Sequence, residues 1–260
     1  MSVNAYYLPN DFISDRVKVA LVGLGGSGGE MLESLVRIDA VLKELGHLGF
    51  ELHVFDGDSV SHSNIGRTRF SPVDIGQYKA EVLASRFNLF YGLDIKPHVA
   101  EFAPEWMFDY HLIVSCTDSA GFRLGMGEYL DDNQYEIDRN ADTEMLWLDL
   151  GNESYTGQFV LGHLVKGDSA FHLPNVYDLY QSSLRTVLAQ EDRSSSCSLR
   201  QAIEIQSLFI NKAVVTHASS LLYTLFKDGK IQTHGGFVDL QSQSVKPLKI
   251  DPRIWQFLQG

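Results

Sequence analysis

The sequence lacks the features that mark secreted and membrane proteins. Its 260 residues include only two cysteines, Cys116 and Cys197, and this usage is typical of reduced thiols in a cytosolic protein. No apolar run approaches the roughly 18 residues that a membrane-spanning helix needs. The N-terminus has no basic segment followed by an apolar one, so no secretory signal is expected. We therefore expect a cytoplasmic protein with no membrane partner.

Positive charge is also scarce. The chain has 21 lysines and arginines against 33 aspartates and glutamates, which gives a formal net charge of -12. An acidic surface repels phosphate backbones, and no basic run offsets it, so a nucleic-acid partner is not expected. Hydrophobic residues make up 44% of the sequence. This is enough for a sizeable core, and we expect one domain over residues 1–260.

Strand-like and helix-like segments alternate along the first part of the chain. Apolar, β-branched runs predict strands over 17–22, 50–55, 95–99, 111–116, 145–150 and 159–164. Helical spacing of apolar residues predicts helices over 31–45, 75–90 and 119–130. This alternation indicates an α/β, Rossmann-like fold with a mainly parallel sheet and helices on both faces.

The rest of the chain has a different composition. The polar stretch 166–196 contains Pro174 and ends in a serine-rich run, so it is predicted to be a long crossover loop. A long buried helix is predicted over 198–226, followed by a hairpin of strands around 235–238 and 245–248. The expected organisation is a nucleotide-binding part at about 15–165, the loop at about 166–196, and a C-terminal helix and hairpin at 197–260.

A glycine-rich turn lies between the first predicted strand and helix. Gly23, Gly25 and Gly28 have the G-x-G-x-x-G spacing, which lets backbone N–H groups approach a phosphate at a helix N-terminus. Asp56 follows the next strand, where a carboxylate can bind ribose hydroxyls. These residues alone fit an NAD-binding domain, and they also fit a glycine turn that serves only close packing.

Further polar motifs favour a nucleoside triphosphate over NAD. Arg67 and Lys79 can neutralise charge on phosphates, and Asp118 follows a strand where it can hold Mg²⁺. Each residue also has an ordinary structural explanation. Lys79 fits a helix surface, Arg67 fits a loop salt bridge, and Asp118 fits a helix N-cap.

In order, the motifs resemble those of the ThiF/MoeB and ubiquitin-activating-enzyme superfamily. That superfamily carries G-x-G-G-x-G, D-x-D, S-N-L-x-R-Q, D-I-G-x-x-K and C-T-D-N. The matching segments here are Gly23–Gly28, Asp56–Asp58, Ser63–Arg67, Asp74–Lys79 and Cys116–Ser119. The match covers residues 17–119 and continues more loosely to Gly157-Gln158. Within the superfamily, the C-terminal segment resembles the PRTRC-system ThiF group.

The resemblance implies an enzyme that uses ATP and Mg²⁺ to adenylate the C-terminal glycine of a small ubiquitin-like or sulfur-carrier protein. It also implies a homodimer. It assigns Asp56 to ribose, Asp118 to Mg²⁺, and Arg67 and Lys79, with Asp118, to catalysis. The full set of nucleotide-binding residues that it implies is Gly23, Gly25, Gly26, Gly28, Asp56, Asp58, Ser63, Asn64, Arg67, Lys79, Asp118 and Ser119.

The sequence departs from the superfamily pattern at several points. Thr68 and Ser119 replace a glutamine and an asparagine. The paired C-x-x-C zinc motifs are missing, and two cysteines cannot supply four ligands, so no structural zinc is expected. The N-terminal arginine motif that serves a partner's site is also missing, and Arg16 is the nearest candidate for that role.

The two cysteines differ in their expected roles. Some superfamily members transfer the acyl group to a cysteine, and Cys197 lies after a serine-rich stretch and before a predicted helix, where a thiol pKa is lowered. It fits a nucleophile and equally an unreactive cysteine at a helix start. Cys116 lies at the end of a buried strand and is expected to pack in the core.

Three other functions compete with adenylation. The chain fits a non-catalytic scaffold subunit of an activating-enzyme dimer, although the joint presence of Asn64, Arg67, Lys79 and Asp118 argues against this. An NAD-dependent oxidoreductase uses the same fold. A tRNA-modifying dehydratase of the same superfamily is disfavoured by the acidic net charge.

Overall fold

The computed structural model describes residues 5–139, 142–167, 172–191 and 207–258. The strands are β1 (Tyr6–Tyr7), β2 (Val17–Val22), β3 (Phe50–Phe55), β4 (Lys96–His98), β5 (Leu112–Ser115), β6 (Met145–Asn152), β7 (Thr156–Val165), β8 (Lys230–Ile231), β9 (Thr233–Asp239) and β10 (Ser244–Lys249). The helices are α1 (Asn10–Ser14), α2 (Gly26–Glu44), α3 (Lys79–Tyr91), α4 (Ala120–Asp132), α5 (Gln134–Arg139), α6 (Val176–Glu191), α7 (Ile210–Asp228) and α8 (Pro252–Leu258).

Eight strands form one mixed sheet in the order β10-β9-β7-β6-β5-β2-β3-β4. The five strands from β4 to β6 are parallel, and β7, β9 and β10 continue the sheet in antiparallel fashion. The strand β2 is central and almost wholly buried, as its run of apolar residues requires. This confirms the predicted Rossmann-like α/β fold and the C-terminal helix followed by antiparallel strands.

The helices cover both faces of the parallel half. Connections between parallel strands are right-handed as a rule, so the strand order puts α2 and α3 on one face of the sheet. The connection through α4 runs the opposite way across the sheet, which puts α4 on the other face. The helix α7 packs on α2, and α6 packs on α4. Within the described ranges, no helix is both long and apolar enough to cross a bilayer.

Three predicted elements need correction. The helix predicted from Ile75 begins at Lys79, because Gly76 has a left-handed φ of 88° and Ser59 pairs with Tyr78 before the helix. The predicted crossover loop at 166–196 contains the helical segment α6 at Val176–Glu191, which has a kink at Tyr180, where φ is -132° and ψ is 21°. The helix predicted over 198–226 starts at Ile210; residues 207–209 precede it in a turn, and 198–206 lie outside the described part of the chain.

Candidate nucleotide site

The carboxyl ends of β2, β3 and β5 meet at one edge of the sheet, and a cleft of about 960 Å³ opens there. Ligands bind at this edge in open α/β sheets. Nearly all the residues named from the sequence motifs line this cleft: Gly23, Gly25, Gly26, Asp56, Asp58, Ser63, Asn64, Arg67, Lys79, Asp118 and Ser119. Gly28 lies behind them and is not part of the lining.

The glycine turn has steric reasons for its composition. Gly23 has a φ of 82°, a backbone angle that residues with a side chain rarely adopt. A Cβ on Gly28 would lie 1.8 Å from the Gly23 carbonyl oxygen. Gly25 precedes α2 and has no side chain to cap it, so the first N–H groups of the helix are available to an anion in the cleft.

Asp56 supports the glycine turn from β3. Its carboxylate accepts hydrogen bonds from the Leu24 N–H at 2.7 Å and from the Asp58 N–H at 2.9 Å. The side chain is 8% exposed. Two of the carboxylate's acceptor positions are therefore used to order the loop, and a planar carboxylate has others for a ligand.

Lys79 is the first residue of α3 and reaches the same group of residues. Its Nζ lies 2.7 Å from Asp58 Oδ2 and 3.6 Å from Asp56 Oδ1. The lysine side chain is 10% exposed, whereas Asp58 is 76% exposed. Because water already reaches Asp58, its ion pair with Lys79 is expected to be weak. The Lys79 ammonium can therefore exchange Asp58 for another anion at a small cost in free energy.

The loop between β3 and α3 carries the second cationic side chain of the cleft, Arg67. A short 3-10 turn at His62–Asn64 is capped by Ser61, whose N–H donates to Asn64 Oδ1 at 2.8 Å. The Arg67 N–H donates to the Asn64 carbonyl at 3.3 Å. This turn brings Ser63, Asn64 and Arg67 to the cleft wall.

Asp118 lies in the loop that follows β5, and its side chain is exposed. The N-cap role that the sequence allowed for Asp118 belongs to Ser119, whose Oγ accepts the Phe122 N–H at 3.1 Å. Asp118 therefore lines the cleft and does not cap α4.

A buried arginine that the motifs did not identify orders this loop from below. The Arg123 guanidinium contacts both Asp149 carboxylate oxygens at 2.9 Å through Nε. Its other nitrogens donate to the carbonyls of Thr117 at 2.9 Å and Ser119 at 3.3 Å, which flank Asp118. Arg123 thus fixes the backbone on both sides of Asp118. No spacing in the sequence marks it, because its partner Asp149 is 26 positions away on β6.

A second group of polar residues at the cleft was also missed. Ser27 Oγ, in the first turn of α2, lies 3.0 Å from Asn211 Oδ1 and 3.3 Å from Asn152 Oδ1. Asn152 ends β6 and Asn211 begins α7, so the three residues are brought together only by the fold. All three line the cleft.

Cys116 and Arg16 lie at opposite ends of the parallel strands. Cys116 follows β5, lines the cleft and packs partly buried against the core, which raises the pKa of its thiol, so it is a poor nucleophile. Arg16 precedes β2 at the opposite edge of the sheet, and its guanidinium donates to the Phe50 carbonyl of its own chain at 3.3 Å. Cys197 lies outside the described residues.

The carboxylates of the cleft fit Mg²⁺ bound together with a nucleotide. This ion is usually held by one or two carboxylates, with substrate phosphates and water completing its shell. Asp118 and Asp58 present exposed carboxylates on the cleft wall. In the part of the chain that the structure describes, no three His, Cys, Asp or Glu side chains are grouped to hold a metal by themselves.

The chain is similar in sequence to eukaryotic activating enzymes. It is 31% identical over 156 residues to the Nedd8-activating enzyme E1 catalytic subunit of Drosophila melanogaster, an alignment covering 56% of this chain and 32% of the relative. It is 30% identical over 160 residues to the corresponding subunit of Arabidopsis thaliana, with the same coverage. The chain therefore spans about a third of the length of these curated relatives.

Solved structures share the fold at lower sequence identity. A crystal structure of E. coli MccB with ATP matches with a TM-score of 0.56 and 13% identity, over 90% of this chain and 64% of that one. A crystal structure of PaaA matches with a TM-score of 0.58 and 16% identity, over 90% and 73%. Residues 14–243 match the sequence profile of the ThiF family. Since this match covers most of the sequence, the chain belongs to the ThiF family.

Proposed function

We propose that this protein uses ATP to adenylate the C-terminal carboxylate of a small ubiquitin-like or sulfur-carrier protein. The observation that carries the proposal is the convergence of Arg67, Lys79 and Asp118 with an uncapped helix N-terminus on one cleft. The helix N-terminus at Gly26 and Asp118 are 92 positions apart in the sequence and still line the same cleft. Unrelated structural roles would not require these groups to meet.

The cleft offers a separate environment for each part of ATP. Asp56 provides carboxylate oxygens for ribose hydroxyls. The glycine turn and the first N–H groups of α2 suit the α-phosphate. Lys79 and Arg67 lie on the side of β3, where they neutralise the charge of the β- and γ-phosphates and of the departing pyrophosphate.

The reaction needs no general base. The acceptor carboxylate is already ionised, and one of its oxygens forms a bond to the α-phosphorus while the bond from that phosphorus to the bridging oxygen of pyrophosphate breaks. The products are an acyl-adenylate and pyrophosphate. Positioning and charge neutralisation therefore do most of the catalytic work.

Lys79 has a defined part in this scheme. In the structure its ammonium is held by Asp58 and Asp56, and it must transfer to the phosphates when ATP binds. Asp118 and Asp58 are the residues that would hold Mg²⁺, and the ion supplies further neutralisation of phosphate charge when bound. Arg123 keeps the loop of Asp118 in place.

The finer features of the proposal follow from family membership and from the relatives. Two relatives are catalytic subunits of Nedd8-activating enzymes, which supports a ubiquitin-like acceptor. A cytoplasmic homodimer and transfer of the acyl group to Cys197 are further parts of the proposal. Cys116 does not take that role, because its packing against the core raises the pKa of its thiol.

ATP–pyrophosphate exchange tests the proposal. With a ubiquitin-like protein encoded next to this chain, the wild type should exchange labelled pyrophosphate into ATP, and Arg67→Ala and Lys79→Ala should each lower the rate by about 100-fold or more. Arg37→Ala is the control, because Arg37 is 70% exposed on α2 and does not line the cleft. Full exchange by folded Lys79→Ala, or a thermal shift with NAD and none with ATP, would contradict the proposal.

A further inference from the structure

The polar cluster of Ser27, Asn152 and Asn211 lies at the end of the cleft away from Lys79. Along the sheet, β3, β2, β5 and β6 are consecutive neighbours, so Asn152 at the end of β6 lies three strand spacings, about 14 Å, from the end of β3. The phosphate-binding cations come from the β3 side. The cluster therefore lies across the glycine turn from them.

The contacts with Ser27 orient the Asn211 carboxamide. Ser27 Oγ is close to Oδ1 of Asn211 and of Asn152, at 3.0 and 3.3 Å. The serine has a single hydroxyl hydrogen, so it donates to one of these oxygens at a time, and the shorter contact is the one with Asn211. The Asn211 Nδ2 group is therefore turned away from the serine. Asn152 Nδ2 has a long contact of 3.4 Å with the Glu153 carbonyl, and each Nδ2 carries two N–H donors.

Asn211 lies directly over the start of α2. A Cβ added to Gly26 would be 2.3 Å from Asn211 Nδ2, so the carboxamide occupies the space that a side chain at Gly26 would take. Its N–H groups are next to the first N–H groups of the helix. Neutral amide donors and a helix N-terminus together suit an anion.

The geometry of displacement at phosphorus indicates which anion. In phosphoryl-type transfers the attacking and leaving oxygens lie roughly in line with the phosphorus. If the α-phosphate lies at the glycine turn and pyrophosphate leaves toward Lys79 and Arg67, the attacking oxygen must arrive from the opposite side. The residues lining that side include Asn152 and Asn211.

We propose that Asn211, oriented by Ser27, and Asn152 bind the acceptor carboxylate and its acyl carbonyl and direct one oxygen at the α-phosphorus. This inference rests on the proposed adenylation and assigns the acceptor half of the same site. Amide donors hold a carboxylate without adding a cation that would compete for its lone pairs. The step changes no protons: the bond from the carboxylate oxygen to phosphorus forms, and pyrophosphate leaves with the bonding electrons.

The test compares two ligands that differ in the acyl group. The probe 5′-O-[N-(N-acetylglycyl)sulfamoyl]adenosine is a stable mimic of an acyl-adenylate, and AMP has the same adenosine without the acyl part. By calorimetry, Asn211→Ala and Asn152→Ala should each weaken binding of the mimic by about fivefold, as expected for one lost hydrogen bond, and change AMP binding by less than about twofold.

Two further variants separate recognition from folding. Asn211→Asp keeps the shape and Oδ1 of the residue and loses the donors, so it should weaken binding of the mimic at least as much as alanine does. Thr216→Ala is the matched control, because Thr216 is exposed on the same helix and does not line the cleft. Thermal unfolding of each variant checks that it is folded.

The outcomes distinguish the two proposals. Selective loss of mimic binding supports the acceptor site. Equal loss of mimic and AMP binding in the asparagine variants, or no loss of either, overturns it and leaves adenylation standing. A wild-type protein that binds neither AMP nor ATP overturns the proposed function and the acceptor site with it.

Discussion

Polar groups on the rim of the cleft and polar groups in the interior are organised in opposite ways. On the rim, Asp58 and Asp118 are exposed, and Lys79 is paired with an aspartate that water already reaches. In the interior, Arg123 and Asp149 are each bonded to several partners and are almost inaccessible to water. Rim groups can change partners when a ligand arrives, whereas interior groups cannot without loss of stability.

Buried histidines of the antiparallel half belong to the interior class. His234 on β9 donates from Nδ1 to the Leu161 carbonyl at 2.8 Å and accepts the Trp255 indole N–H at Nε2, at 2.9 Å. His163 on β7 accepts the Leu173 N–H at Nδ1 and lies 2.8 Å from Glu144 through Nε2. Tyr6 donates its hydroxyl to the same glutamate. These contacts join the N-terminal strand and α8 to the sheet.

The largest effect is expected at Arg123. Arg123→Met leaves the buried Asp149 carboxylate without its cation, so the free energy of unfolding should fall by about 3 to 5 kcal/mol. Urea denaturation measures the change. Arg185→Met is the control, since Arg185 pairs with Glu128 on the surface and should cost less than about 1 kcal/mol. A similar fall in the free energy of unfolding in both variants would contradict the proposed difference between interior and exposed ion pairs.

A second effect is expected in the pH dependence of stability. Burial lowers the pKa of His234 from 6.5 to about 4, and its hydrogen bonds fix the neutral form. Between these pH values the unfolded state binds the proton and the folded state does not, so stability falls as the pH falls from about 6.5 to 4, by about 3 kcal/mol. Burial also lowers the pKa of His163, which acts in the same direction.

Urea denaturation at several pH values tests this effect. His234→Gln should be less stable than the wild type at pH 7 and should have a shallower dependence between pH 6.5 and 4. His62→Gln is the control, because His62 is exposed on the loop between β3 and α3, away from both buried histidines, and should leave the dependence close to that of the wild type. If the free energy of unfolding of His234→Gln depends on pH as steeply as that of the wild type, His234 does not cause the pH dependence.

The smallest effect is expected on the rim. Asp58→Asn removes the exposed partner of Lys79, while Asp56 remains 3.6 Å from the ammonium, so stability should change by less than about 0.5 kcal/mol. Asp149→Asn makes the same chemical change in the interior, and it should lower the free energy of unfolding several times more than Asp58→Asn does. A loss above about 1 kcal/mol in Asp58→Asn would mean that this pair is structural.

The parallel half of the sheet is predictable from the sequence because its strands are short apolar runs bounded by glycine or polar residues. The strands β2 and β3 have the predicted bounds. The helix α6 was missed because its polar residues and Pro174 suggested a loop. Yet Val176, Leu179, Leu184 and Leu188 have helical spacing, and a proline just before a helix does not break it.

Some residues of the cleft could also be predicted from the sequence, and others could not. Asp56 and Asp118 could be placed at this edge from the sequence because each follows a strand, and the carboxyl ends of parallel strands meet at one edge. Arg67 and Lys79 were predicted there from the resemblance of their motifs. The acceptor-side residues were not found because Ser27 and Asn211 are 184 positions apart in the sequence and meet only through the packing of α7 on α2. Arg123 was missed for a related reason, since a single arginine in a helix is usually at the surface.

The most direct test of the account is calorimetric titration of the wild type and of Lys79→Met with ATP and with AMP, each in the presence of Mg²⁺. If Lys79 faces the terminal phosphates, the variant should bind ATP at least about tenfold more weakly than the wild type and bind AMP with an affinity within about twofold. Equal weakening of both nucleotides, or wild-type binding of neither, would contradict the placement of the triphosphate between the glycine turn and Lys79.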